Sequence, residues 1–385
     1  MHEAVDLLEQ AVPTGDPVEV YAVTHKALTS AVKVIARADD SAGVIGDACR
    51  RLLDLHPRTA AAASTPPGRL VDWMIAFQFD GNVDYFELDP VAYAPALGPD
   101  GITAYRNRLA EIRERVGDPP ADPLAAGHRH EHWVLSWNEQ RLAVLDRDAD
   151  AVIRTHARDR RVARWFHDTA AALAEIDRVD LATNWARQGA EVEPFHQAQQ
   201  CADLWCSLLD QQPQYDADDV LAARRSVFDR WPTAATAARL HDAATAAGRA
   251  WADIDEHVMN RLAQKPWEAV SVALHTLGDP QRAWQLAHDL GLDPDDTHTW
   301  SALATAYESI DPRATLPVHA RLVERDLTHA DAGHYRDTAR RLARMRTLAA
   351  TTGDQDQVDQ LIADLRLTHR RRPRLQQEFD RALLP

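Results

Sequence analysis

The chain has 385 residues, 45% hydrophobic and 26% charged, enough to bury a sizeable core in two or three ordinary domains or one elongated repeat. Its 67 alanines against 15 glycines and 10 isoleucines exclude an all-β fold on propensity, and 3 lysines against 40 arginines leave almost no room for lysine-based chemistry. A formal charge of −16 disfavours non-specific contact with nucleic acid or an anionic membrane over most of the surface.

The N-terminus, Met1 to Asp6, is acidic where a secretory signal needs a basic start, and no run of about 18 apolar residues follows anywhere. Three cysteines, Cys49, Cys201 and Cys206, build no disulfide framework, so a cytoplasmic location is expected. Asp16-Pro17-Val18-Glu19 predicts a helix start, with an N-cap, a proline in the first helical position and a capping-box glutamate. Asp89-Pro90 and Asp279-Pro280 repeat the device. Ala60 to Gly68 reads as a flexible connection. Asp80-Gly81-Asn82-Val83-Asp84 opens like a calcium loop, but Tyr85 stands where glycine belongs and Val91 where glutamate belongs, which leaves a self-capped turn. Gly98, Gly248, Gly278, Gly291 and Gly353 fall where helical periodicity stops. From Gly117 to Gly127 proline and glycine interrupt every pattern. That predicts an N-terminal helical domain over 1–118, a linker over 119–127 and a repeat domain over 128–385.

Beyond the linker, apolar residues recur at three and four. Val162, Trp165, Phe166, Thr169, Leu173 and Ile176 make one stripe. Trp300, Leu303, Ala304, Tyr307 and Ile310 make a second, and Val358, Leu361, Ile362 and Leu365 a third. Helix openings with an apolar–alanine pair stand 31 residues apart at Ala151 and Ala182, and 101 apart at Ala182 and Ala283, close to three units of 34. Intervals of 40 and 47, through Ala222 and Ala269, break a strict period. The expected fold is all-α, antiparallel helical hairpins stacked as an irregular tetratricopeptide-like solenoid. Trp165, Trp185, Trp205, Trp251, Trp267, Trp284 and Trp300, seven of eleven tryptophans, lie on or beside the stripes and are expected mostly in the core.

Several segments resemble one known family. Tyr335 to Leu342, Gly353-Asp354, Leu361 to Arg366 and His369 to Leu375 are similar to the C-terminal end of an uncharacterised bacterial helical-repeat family, found alone or downstream of SWIM zinc fingers. Asp177 to Gly189 and Phe228 to Thr233 resemble its hairpin units, and Val91 to Gly98 with Gly101 a motif of its N-terminal part. The resemblance implies helix packing, not an activity. No two cysteines stand two apart, so the Cys-x-Cys of the zinc finger is missing, and the nucleic-acid role that the finger suggests does not carry over.

Four clusters are candidates for chemistry. His128, His130 and His132 are densest. His128 and His132 could share a divalent metal on a helix, or all three could share a face of an extended segment, though a solvated helix start is the plainer reading. Asp253, Asp255, Glu256 and His257 place Asp253 and His257 one helical turn apart, suited to acid–base work or a metal, or simply to an acidic solvent face. Cys201 and Cys206, flanking Leu204 and Trp205, are expected as small core residues. Arg366, Arg370, Arg371, Arg372 and Arg374, with His369, form the one basic run and either cap helix ends or grip an anionic partner. No catalytic set is complete and no cofactor motif occurs, neither a glycine-rich phosphate loop nor a nucleophile elbow.

These observations favour a non-enzymatic helical scaffold that binds another protein in a concave groove, without membrane contact. The alternatives are a metal-dependent or acid–base enzyme with a pocket between helical domains, and a nucleic-acid-associated protein using the C-terminal arginines.

Overall fold

The computed structural model describes residues 2–41, 43–80, 86–192, 196–212 and 214–385, and every regular element among them is helical. The chain forms two compact units, 1–212 and 213–385. The first holds α1 (His2–Ala11), α2 (Pro17–Ile35), α3 (Val44–Ala62), α4 (Pro67–Phe79), α5 (Pro90–Val116), α6 (His130–Leu145), α7 (Ala149–His156), α8 (Ala163–Glu175), α9 (Val179–Val192) and α10 (His196–Leu209). The second holds α11 (Ala217–Arg230), α12 (Ala234–Ala246), α13 (Ala252–Leu262), α14 (Pro266–Ser271) running into a π-turn (Val272–Thr276), α15 (Pro280–Asp289), α16 (Thr297–Tyr307), α17 (Pro312–Asp326), α18 (Ala332–Thr352), α19 (Gln355–Thr368) and α20 (Pro373–Arg381). Within each unit, consecutive helices pack on one another across short turns, as α2 on α3, α8 on α9 and α17 on α18, which makes them antiparallel hairpins.

The helix starts follow from side-chain capping. Asp16 accepts from the N–H groups of Val18 and Glu19, Asp89 from Val91 and Asp279 from Arg282, each ahead of a proline at the first helical position. Glu19 forms no reciprocal bond among the described residues, whereas Asp219 and Thr236 do close capping boxes on Asp216 and Thr233. Gly248, Gly278, Gly291 and Gly353 follow helix ends in the left-handed region. Gly98 has φ of 62°, but the helix resumes at Pro99, so it kinks α5 instead of closing it. The Ala60–Gly68 stretch is mostly helical, ending α3 and opening α4 around a short turn. Of the calcium-like motif, residues 81–85 lie outside the described residues.

The stripes face the cores. Trp165, Phe166, Thr169, Leu173 and Ile176 are buried, as are Trp300, Leu303 and Ala304 and then Val358, Ile362 and Leu365. Ile310 departs from its stripe because α16 stops at Tyr307, and it stands exposed. Trp165, Trp185 and Trp300 are buried, whereas Trp267, in the short α14, is exposed. Cys201 and Cys206 are fully buried. The Cys201 thiol donates to the Ala163 carbonyl at 3.2 Å, and burial pushes its pKa up to about 12.

The stretch from Gly117 to Gly127 is non-helical and lies inside the first unit. On its two sides α5 and α6 pack together. A closed ring of buried bonds ties them to α4: Gln78 Nε2 donates to the Tyr105 hydroxyl (2.7 Å), which donates to Asn138 Oδ1 (2.6 Å), and Asn138 Nδ2 returns to Gln78 Oε1 (3.0 Å). Each buried polar group is thereby paired, so the ring costs no unmet desolvation. Arg141 of α6 adds a clamp, reaching Asp89 at the start of α5 and Glu175 at the end of α8, both at 2.7 Å. These ties join α4, α5, α6 and α8 within the first unit.

A candidate binding cavity in the first unit

Local sequence sets the walls of a cavity of about 670 Å³ beside the start of α6. Pro119, Pro120 and Pro123 keep the segment before α6 out of helix, and it passes over the cavity as one wall. Asp122 holds that segment in shape: its carboxylate accepts from the Leu124 N–H at 3.0 Å and pairs with Arg161, and these contacts lower its pKa. His128 Nε2 donates to the Asp122 carbonyl at 3.2 Å, and its ring leans on Trp133 with centroids 4.8 Å apart.

His132 occupies the third position of α6, where a capping box ordinarily carries glutamate or glutamine. Its Nδ1 accepts from the Arg129 N–H at 3.1 Å. An acceptor at Nδ1 requires the neutral ring to carry its proton on Nε2, so Nε2 is a donor. His132 is 8% exposed, and its Nε2 finds no partner among the described residues.

The opposite wall comes from Thr155 at the end of α7 and the turn to α8. Arg158 and Arg160 of that turn take positive φ values of 45° and 61°, a conformation that costs a non-glycine residue roughly 1–2 kcal/mol. Stacking over indole rings offsets the cost. Arg160 lies 4.8 Å from the centre of Trp185, and Arg158 lies between Trp133 (5.5 Å) and Trp165 (5.3 Å). Arg161 is committed to Asp122 and Asp159. Arg158 forms no ion pair and donates no hydrogen bond among the described residues; burial lowers its pKa, with Asp168 and Asp159 opposing only through longer-range attraction. The cavity therefore combines an aromatic and proline surface with a guanidinium that forms no ion pair, while the unpartnered His132 Nε2 lies beneath the wall, closed to solvent.

Of the sequence candidates, His128 and His132 line this cavity, with ring centroids 6.1 Å apart, while His130 turns away and donates to the Gln78 carbonyl at 2.9 Å. His257 bonds Asp229 of α11 at 2.5 Å, and Asp253 is exposed. Asp255 is drawn off to Arg282 and the Trp251 N–H. Among the described residues no three metal-ligating side chains gather. The C-terminal arginines divide. Arg366 donates to Asp380, to Gln376 and to the carbonyls of Leu384 and Pro385; Arg372 donates to the Leu327 carbonyl that ends α17. Arg370, Arg371 and Arg374 are exposed at the α19–α20 turn.

Trp133, Arg158 and Arg161 carry the cavity and were not singled out by sequence. The sole signal was position: a histidine cluster ending in tryptophan, just after a proline run, and an Arg-Asp-Arg-Arg turn some 25 residues on. That these two segments face each other is a tertiary fact with no local spacing.

The model of a family of unknown function (DUF6880) matches residues 1–375, and the chain belongs to that family. No curated protein matches it.

Proposed function

We propose that this member of a family of unknown function is a non-enzymatic helical scaffold that binds another protein, with the cavity beside Trp133 as the seat of binding. The supporting observation is that Trp133 stands 45% exposed next to Arg158, which forms no ion pair among the described residues, in a chain whose hydrophobic side chains mostly serve its cores. Tryptophan and arginine in a partly desolvated pocket are the residue types that dominate interface energies. The alternation of hairpins supports a tetratricopeptide-like architecture, which serves mainly to present surfaces.

Proton placement favours binding over acid–base chemistry. His132 has spent its lone pair on a backbone N–H, and His128, which donates its Nε2–H to a carbonyl, keeps its Nδ1 lone pair but has no carboxylate bonded to its ring among the described residues. Asp122, its pKa lowered by the Leu124 N–H and by Arg161, is a poor base, and Asp159, the other carboxylate in the lining, is paired with Arg161. A photo-crosslinking amino acid at Leu124, exposed beside the cavity, is expected to capture a protein from the source cytoplasm. The same probe at Leu367, exposed on α19, is not. Equal capture from both positions, or none from Leu124, overturns the assignment.

A further inference from the structure

Exposed apolar side chains are concentrated near the N-terminal end of the chain. Of the twelve large hydrophobic side chains exposed among the described residues, five fall between residues 7 and 44: Leu7, Val18, Val23, Val34 and Val44. Helix α2 carries three of them. It buries Val20, Thr24, Leu28, Ala31 and Ile35, and Leu28, Ala31 and Ile35 share a core with Ala48, Cys49 and Leu52 of α3. On its outer side Val23, Ala27, Ser30 and Val34 follow at steps of four, three and four, which lines them up in one row along the helix. Ala27 and Ser30, small and central in that row, allow a second helix to approach closely.

Charge selects what lies against this row. Beside it runs a second row, Glu19, Lys26, Lys33 and Arg37, all exposed and none in an ion pair or side-chain hydrogen bond among the described residues. The acid stands at the start of α2 and the bases at its middle and end. A copy of α2 laid antiparallel on the first, about a two-fold axis at the level of Leu28, keeps the two charged rows on the same side. Glu19 then faces Arg37 of the second copy, with Lys33 one turn away, and Val23 comes beside Val34. Two-fold symmetry makes each of these contacts twice. A parallel copy would set Glu19 against Glu19, and a uniformly acidic partner would meet Glu19 with its own charge. Lys26, nearest the axis, has the reach to turn its ammonium to solvent.

We propose that this face of α2 is a self-association surface, and that its partner is α2 of a second copy of this chain, packed antiparallel with a Glu19–Arg37 pair at each end. With 19 residues the helix offers a strip about 28 Å long and about 10 Å wide, less than the roughly 800 Å² per partner of a standard interface. The dimer therefore dissociates on dilution.

Sedimentation velocity of the full chain over about 1–200 μM should show monomer giving way to dimer as concentration rises. Val23→Asp combined with Val34→Asp, at exposed positions, should keep the chain monomeric across that range, with thermal melts showing that it folds. Glu19→Arg and Arg37→Glu alone should each weaken the dimer about tenfold, because every pair lost counts twice and is replaced by repulsion. The double variant Glu19→Arg/Arg37→Glu remakes the pairs with reversed sign and should return to within about threefold of wild type. A monomer at every concentration, a dimer indifferent to the Val23 and Val34 changes, or a double variant no tighter than the single ones overturns the proposal.

Discussion

His56 is fully buried, with both ring nitrogens engaged. Its Nε2 meets His25 Nδ1 at 2.9 Å, its Nδ1 meets the Tyr93 hydroxyl at 2.9 Å, and its ring lies 4.3 Å from that of Trp73. Burial, with His25 beside it, drives the pKa down to about 3 from the ordinary 6.5, and burial lowers His25 as well. A group with a depressed folded pKa binds protons more readily when unfolded. The stability it confers is therefore complete above about pH 6.5 and drains as pH falls toward 3. Between pH 7 and 5 the loss should be about 2 kcal/mol for His56 alone. Urea unfolding of wild type and His56→Gln at both pH values checks this, since the variant should lose markedly less on acidification; parallel losses would mean that His56 is not the titrating group. Nothing in the sequence pointed to this trio, because His25, His56 and Tyr93 are 31 and 37 residues apart and meet only through packing. Cys201 and Cys206 were legible, because small apolar residues flanked by leucine and tryptophan go inside in any helical fold.

Helices α8, α9 and α10 pack close because Gly189 lacks a side chain. A Cβ there would stand 2.6 Å from both Cys201 Sγ and Phe166 Cβ. Gly189→Ala should therefore destabilise the first unit by about 1–3 kcal/mol despite alanine's better helix propensity. Gly68 is the control: it sits in α4 with nothing within 4 Å of a Cβ, so Gly68→Ala should be neutral or stabilise by about 0.4–1 kcal/mol. Paired melts read both signs, and a Gly189→Ala protein as stable as wild type would remove the close-approach argument. The Gly117–Gly127 stretch yields a kinetic prediction. Thermolysin should nick first before Leu124, which is exposed outside helix, and the two pieces should stay together because α5 and α6 are bonded through Gln78, Tyr105 and Asn138. First cuts within 160–310, or pieces that separate on gel filtration, contradict that. At this scale helix starts and core stripes were readable because capping and period are local. The continuation of α5 past Gly98 was not, because glycine followed by proline ends one helix and opens the next equally well.

Across the whole molecule the −16 charge coexists with a basic C-terminal run whose members do different work. Arg366 and Arg372 secure the carbonyl ends of neighbouring segments, whereas Arg370, Arg371 and Arg374 face solvent. Replacing Arg370, Arg371, Arg372 and Arg374 by Gln should lower stability by no more than about 1–2 kcal/mol and leave partner binding in place. Lost binding with unchanged folding would move the interaction site to this run, and a log-affinity against log-salt slope flattened by about 3 to 4 units would identify a phosphate backbone as its partner. Fold class was legible at this scale from alanine content and period. The cavity was not, since it arises where a loop near residue 120 meets a turn near residue 160. Affinity capture from a lysate of the source cells by wild type and Trp133→Ala tests the binding role of this cavity most directly. A stoichiometric protein partner that Trp133→Ala loses at least tenfold, with its melt unchanged, is the expected result, and a partner retained in full by that variant would contradict a binding role for Trp133.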